Sequence, residues 1–154
     1  MTKNIALVVG ATGIAGSNLS KLLIEKEWTV FGLSRNQKND IEGLLPIAAN
    51  LLEEESLALA LENVSPTHVF FTTWMRNDTE EENIRINSAM IRNLLNVLSN
   101  KKTVKHVSLV TGLKHYLGPF DAYAKAGTLP ETPLREEMPR LDLPNFYYAQ
   151  EDEV

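Results

Sequence analysis

Ile5-Ala6-Leu7-Val8-Val9-Gly10-Ala11-Thr12-Gly13-Ile14-Ala15-Gly16 is the stretch that decides the fold: an apolar run suited to a buried strand enters a glycine turn that opens a helix. At this spacing Gly10 permits a tight turn, Gly13 lets backbone approach an anion, and Gly16 lets helix pack closely on strand. The first N–H groups of such a helix then face a phosphate. The pattern predicts a dinucleotide pyrophosphate site held by Gly10, Thr12, Gly13, Ile14 and Gly16.

Outward from that turn, strand-like apolar runs at 5–9, 29–33, 45–49, 69–73 and 106–110 alternate with helical patterns. This is the rhythm of parallel βαβ units, and it predicts an α/β chain with a doubly wound parallel sheet, the NAD(P)-binding Rossmann fold. The first helix is expected over 14–27 with Leu19, Leu22 and Leu23 inward, and a shorter one over 54–61, closed off by Pro66. Thr79 with Glu82 reads as a capping box for a long helix reaching Leu98, whose inward face carries Ile84, Ile91, Leu94, Leu95 and Leu98. Asn87 falls on that face, where a buried amide must find partners, either in adjoining loops or in a water beside the cofactor.

From Gly118 to Pro144 the chain is rich in proline and glycine, and a long loop of this kind is usually functional. Phe146-Tyr147-Tyr148 then begins another helix, and the chain closes on Gln150-Glu151-Asp152-Glu153-Val154 without a stop signal or another strand. The expectation is one NAD(P)-binding Rossmann domain over residues 1–154, cut off after the fifth strand and lacking its substrate-binding part.

Composition narrows the partners. A chain of 154 residues, 44% hydrophobic, can bury one core, and no internal repeat points to a solenoid. The net charge of −5, with no basic cluster, argues against nucleic acid or an anionic membrane and favours small molecules. There is no cysteine, and the N-terminal apolar run is too short for a signal peptide or a span, so a cytoplasmic location is expected. His68, His106 and His115 are too widely spaced to suggest a metal site.

NAD-selective sites place an acidic residue near the end of the second strand, whereas here Ser34 and Arg35 offer a hydroxyl and a guanidinium. Arg35 suits a 2′-phosphate, so NADP(H) is expected in preference to NAD(H). Asn50 and Leu51, past the third strand, are placed to lie against adenine. Thr72, Thr73 and Trp74 leave the fourth strand at the edge where such sheets bind cofactor, although Trp74 suits a core position equally well. Thr111 and Gly112 leave the fifth strand at the same edge, followed at once by Lys114, His115 and Tyr116.

The run Thr111 to Phe120, then Pro139-Arg140-Leu141 and Asn145-Phe146-Tyr147-Tyr148, closely resembles the progesterone 5β-reductase and iridoid synthase-like enzymes. Ser34-Arg35, Thr72-Thr73-Trp74 and the stretch from Glu82-Asn83 to Asn87 resemble that family too. It is an atypical branch of the short-chain dehydrogenases, within the epimerase/dehydratase superfamily, that reduces enones with NADPH. By motif, Lys114 matches the family's catalytic lysine and Tyr147 its catalytic tyrosine, with Tyr148 a neighbour.

The resemblance implies hydride transfer to the β-carbon of a small α,β-unsaturated carbonyl compound, with Tyr147 donating to the carbonyl oxygen. Lys114 would hold positive charge near the phenol and the nicotinamide ribose. Two positions depart from wider patterns: Asn50 stands where the family has Asp, and Glu151 follows Tyr147 by four, so no Tyr-x-x-x-Lys pair exists. The family's members are longer, and this chain resembles only their first half. That leaves the fifth strand as a sheet edge, open to association into a homo-oligomer, and Tyr147 on a terminal helix with little to pack against. The 154-residue chain alone is then expected to be inactive. Two other readings share the fold: a nucleotide-sugar epimerase or dehydratase, and an NADP(H)-binding module or sensor without turnover.

Overall fold

The computed structural model describes residues 4–36, 40–119 and 131–154. Phe120, within the quoted motif, and the centre of the proline- and glycine-rich segment lie outside the described residues. The chain divides into two compact units, Met1–Trp74 with Ala89–Val110, and Met75–Ser88 with Thr111–Val154.

The first unit is built on five strands, β1 (Ile5–Val9), β2 (Thr29–Ser34), β3 (Leu45–Ala48), β4 (His68–Phe71) and β5 (His106–Leu109). All pair in parallel, in the order β3-β2-β1-β4-β5. β1 is central, with Val8 registered against Gly32 on one side and Phe70 on the other. Ala6, Leu7, Val8 and Val9 are wholly buried, which is why an unbroken apolar run rather than an alternating one forms this strand. Ala6 and Val8 pack with Ala11, Leu23, Val30 and Leu44 on one face. Leu7 and Val9 alternate to the other.

Helix α1 (Ile14–Glu25) links β1 to β2, α2 (Glu54–Ala60) lies between β3 and β4, and α3 (Glu80–Ser99) runs from the second unit into the first before β5. Because the chain leaves β1 in one direction and β4 in the other, right-handed crossovers put α1 and α3 on opposite faces. The sheet is therefore doubly wound, as expected, and its strand order reverses beside β1. Ligands of such sheets bind at that switch point, at the strands' carboxyl ends.

Two helix expectations need correction. α1 stops at Glu25, because Glu27 takes a left-handed conformation (φ 62°). Its N–H donates to Ile24 O at 2.8 Å while Trp28 N–H donates to Leu23 O at 3.0 Å, the paired bonds of a Schellman closure. Leu22 is 48% exposed, since the face turned to the sheet carries Gly16, Ser20 and Leu23 at i, i+4 and i+7. At the start of α3, Thr79 Oγ1 accepts the Glu82 N–H at 3.2 Å. The Glu82 carboxylate instead pairs with Arg85 at 2.6 Å, so only half of the capping box forms. Met90, Ile91, Leu94 and Leu98 make α3's buried apolar stripe, while Ile84 and Leu95 lie at its margin.

In the second unit α4 (Lys114–Leu117) is followed, among the described residues, by α5 (Phe146–Glu151). Contrary to expectation, α5 is well packed: Phe146 is 1%, Tyr148 7% and Gln150 1% exposed. Buried Asn87 anchors the same unit. Its Oδ1 accepts from Met75 N–H at 2.7 Å, and its Nδ2 donates to Met75 O and to Asn83 O, each at 2.8 Å.

Candidate functional site

In the first unit the glycine turn follows β1 directly. Gly10 has φ +86°, a conformation side chains rarely adopt, and a Cβ there would lie 2.8 Å from Thr73 Cβ. A Cβ on Gly16 would overlap the Gly10 carbonyl, so the start of α1 sits against the turn as only glycine permits. Gly10 N–H donates to Leu33 O at 2.8 Å and Gly13 N–H to Gly10 O at 2.9 Å, which fixes the turn. The N–H groups of Thr12, Ile14 and Ala15 donate to no acceptor among the described residues. No side chain caps α1 and no acid lies in its first turn. Thr12, Gly13 and Ile14 are exposed, Ile14 by 87%. Unpaired donors on an open, cradle-shaped turn at a helix N-terminus fit a pyrophosphate.

The other cofactor candidates divide. Arg35 is exposed at the end of β2 and forms no ion pair among the described residues, which fits a 2′-phosphate. Ser34 spends its hydroxyl locally, donating to Asn36 O at 2.5 Å. Asn50 does the same: Oδ1 accepts from Leu52 N–H at 3.1 Å and Nδ2 donates to Glu53 at 2.7 Å, so its amide is committed to the turn before α2. Leu51 is buried, and its carbonyl accepts from Asn93 at 3.0 Å. Thr72 Oγ1 donates back to Val9 O at 2.7 Å, and Thr73 backs Gly10, so both brace the turn from behind. Trp74 is 47% exposed, which removes the core alternative.

In the second unit Lys114 and Tyr147 are joined through intermediaries. Asn145 caps α5, its Oδ1 accepting the Tyr147 N–H at 3.1 Å, and its Nδ2 donates to Lys114 O at 2.8 Å. The Lys114 ammonium donates to Glu80 Oε2 at 2.5 Å and lies 4.4 Å above the centre of the Phe146 ring. Among the described residues no hydrogen bond joins it to the Tyr147 phenol. Thr111 is exposed, and Gly112 gives the Tyr147 hydroxyl room: a Cβ there would lie 3.3 Å from it.

The neighbouring tyrosines differ sharply. Tyr148 is saturated, its hydroxyl donating to His115 O and accepting from Leu141 N–H at 3.0 Å. The Tyr147 hydroxyl makes no hydrogen bond among the described residues, and burial pushes its pKa above the ordinary 10.0, favouring the protonated phenol. Behind them His115 Nδ1 lies 2.8 Å from Glu151, and Arg140 bridges Glu151 at 2.9 Å and Asp152 at 2.7 Å. Sequence reasoning missed Glu80. Its signal was the acidic first turn Glu80-Glu81-Glu82, of which only Glu82 was used.

A model of the NAD dependent epimerase/dehydratase family matches residues 6–140. The chain belongs to that family. Among its relatives, an (S)-8-oxocitronellyl enol synthase of Nepeta racemosa is 37% identical, covering 97% of this chain and 41% of the relative. A 3-oxo-Delta(4,5)-steroid 5-beta-reductase of Arabidopsis thaliana is 36% identical at the same coverage, 97% and 41%. These are the enzymes the sequence motifs resemble, and the chain spans about two fifths of their length. The Bordetella bronchiseptica enzyme WbmG in complex with NAD superposes with a TM-score of 0.73 at 17% identity over 99% of this chain and 48% of that one. UDP-glucose 4-epimerase of Thermotoga maritima gives 0.73 at 16% identity, over 97% and 48%. At such identities the likeness is one of fold, which is Rossmann-like. Among the described residues no helix is long and apolar enough to cross a membrane, and no three potential ligands cluster as a metal site.

Proposed function

We propose that this chain is the cofactor-binding part of an NADPH-dependent reductase acting on the C=C bond of small α,β-unsaturated carbonyl compounds. The observation that carries the reading is the contrast between the two tyrosines. Tyr148 is locked by two hydrogen bonds, while the Tyr147 hydroxyl beside Gly112 makes none among the described residues and burial raises its pKa. A neutral phenol that no neighbour occupies is left to donate to a bound carbonyl oxygen. The named activities of the enol synthase and 5-beta-reductase relatives support the same reaction class.

In this reading the turn from Gly10 to Gly16 holds the pyrophosphate and Arg35 the 2′-phosphate, so NADP(H) is preferred to NAD(H). When bound, the cofactor supplies the hydride that adds to the β-carbon. Tyr147 donates its proton to the carbonyl oxygen as negative charge develops there, and Lys114, next to the helix that carries Tyr147, supplies the cation of the pair. With Glu151 four residues after Tyr147, a lysine on the tyrosine's own helix is not available for that role.

Titration of NADPH and NADH into the chain, followed by nicotinamide fluorescence, tests the cofactor half. Tighter NADPH binding, lost in Arg35→Ala, is expected, and equal affinity for the two would overturn the 2′-phosphate assignment. Enone-dependent NADPH oxidation by a longer protein containing this chain tests the chemistry, with Tyr147→Phe expected to lower the rate by about 10² to 10⁴. A second reading, which the open donors of the glycine turn support by themselves, is a module that binds NADP(H) without turnover. Saturable binding with no oxidation by any small enone would favour it.

A further inference from the structure

We propose that Glu80 is the positioning residue of this site, holding the Lys114 ammonium and the start of the Tyr147 helix with the two oxygens of one carboxylate. The inference rests on the assignment of Tyr147 and Lys114 above and adds a third member to it. Glu80 Oε2 accepts from Lys114 Nζ at 2.5 Å and Oε1 accepts from the Phe146 N–H at 2.8 Å. Glu80 and Lys114 side chains are only 18% and 23% exposed, so the pair is shielded from bulk water and keeps most of its strength.

Two further links close the circuit. Asn145 joins the Lys114 carbonyl to the Tyr147 N–H, and the Phe146 ring lies under the Lys114 ammonium. Residues 80, 114, 145, 146 and 147 thereby form one frame in which the cation cannot shift without disturbing the helix of the acid. An uncharged cap at position 80 would satisfy the Phe146 N–H alone. A carboxylate is needed because one oxygen must also answer a charge. Of the other side chains of α4 and α5, His115 and Glu151 pair with each other, and Glu151 also pairs with Arg140, so they leave Lys114 to Glu80.

Glu80→Gln separates the two duties, since its amide oxygen can still accept from Phe146 N–H while the charged partner of Lys114 is gone. The side-chain ammonium of Lys114, observed by proton–nitrogen correlation and assigned by its loss in Lys114→Arg, is expected to be sharp in the unaltered chain. It should vanish by exchange with water in Glu80→Gln and return in Glu80→Asp. Amide exchange at Phe146 should stay slow in Glu80→Gln and become at least about tenfold faster in Glu80→Ala, where a part-buried donor loses its acceptor. An unchanged Lys114 signal in Glu80→Gln, or unchanged Phe146 exchange in Glu80→Ala, overturns the proposal. If Glu80→Gln fails to fold, Glu80→Asp carries the test: loss of the Lys114 signal despite the retained charge then refutes it. These readouts need no turnover, so a longer protein containing this chain that oxidised no NADPH with any small enone would end the reductase reading and leave the Glu80 result standing.

Discussion

Replacing Asn87 by Asp changes one NH₂ to an oxygen in a wholly buried position and tests how the second unit is held together. In the unaltered chain Oδ1 accepts from Met75 N–H at 2.7 Å while Nδ2 donates to two carbonyls, Met75 O and Asn83 O, at 2.8 Å. The substitution keeps the first bond and sets a carboxylate oxygen against both carbonyls. Two hydrogen bonds worth about 1 kcal/mol each are lost, and the introduced charge is desolvated by its burial. Its pKa must therefore rise well above the free value of about 3.9, by roughly two to three units. In that window the native state keeps a proton that the unfolded state has released, so stability falls by about 1.4 kcal/mol for each pH unit gained. The expected deficit relative to the unaltered chain is about 1 kcal/mol near pH 4, where a protonated carboxyl restores one donor, growing to about 4 kcal/mol at pH 7. Urea denaturation of both proteins at the two pH values reads it directly. A deficit that stays below about 1 kcal/mol and does not change with pH would show that the amide does not hold the Met75 backbone, and would refute the reasoning.

Gly16→Ala gains about 1 kcal/mol of helix propensity but drives a methyl into the Gly10 carbonyl and to 2.8 Å from Thr72 Oγ1. A net loss of about 1–2 kcal/mol and weakened NADPH binding are expected; a higher melting temperature would mean the turn is looser than described. The Tyr147 phenol, raised by burial, should ionise above pH 10.0, and stability should fall as pH climbs past that value because only the unfolded chain has yet lost the proton. An ultraviolet difference titration against Tyr147→Phe checks it. His68 is lowered from 6.5, first by desolvation and then by His106 and Lys105, so the native state stays neutral while the unfolded state takes up a proton. Stability is thus lost as pH falls below 6.5, and His68→Gln should flatten that loss in melting scans between pH 7 and pH 5, staying parallel to the unaltered chain if the assignment is wrong.

The sheet was legible because its signals are local and redundant. The strands are short runs rich in apolar residues, and the β1 run is apolar throughout because both faces are covered. The glycine turn is legible for the same reason, since Gly10 and Gly16 meet across only six positions. Errors arose where two physical demands share one sequence. Leu22 looks inward by hydrophobicity, yet α1 approaches the sheet through Gly16 and Ser20, and the small face wins because it allows closer packing. Asn50 and Ser34 show a further demand that sequence position hides, since short polar side chains next to turns also bond their own backbone.

The candidate site was legible as residue types and illegible as pairings, because the pairings close over long stretches of chain. Glu80 reaches Lys114 across 34 positions and the Phe146 N–H across 66. The pattern at Glu80 alone reads as an acid favouring a helix N-terminus, a role Glu81 and Glu82 fill equally well. Only α3's direction singles out Glu80, by turning it toward α4 and α5 in the same unit. The choice between Tyr147 and Tyr148 is equally non-local. Both lie one after the other on α5, and what separates them is that Leu141 and His115 come back to occupy one hydroxyl and leave the other. A motif can single out Tyr147, but what distinguishes its hydroxyl is the pair of hydrogen bonds that Tyr148 makes and that Tyr147, among the described residues, lacks.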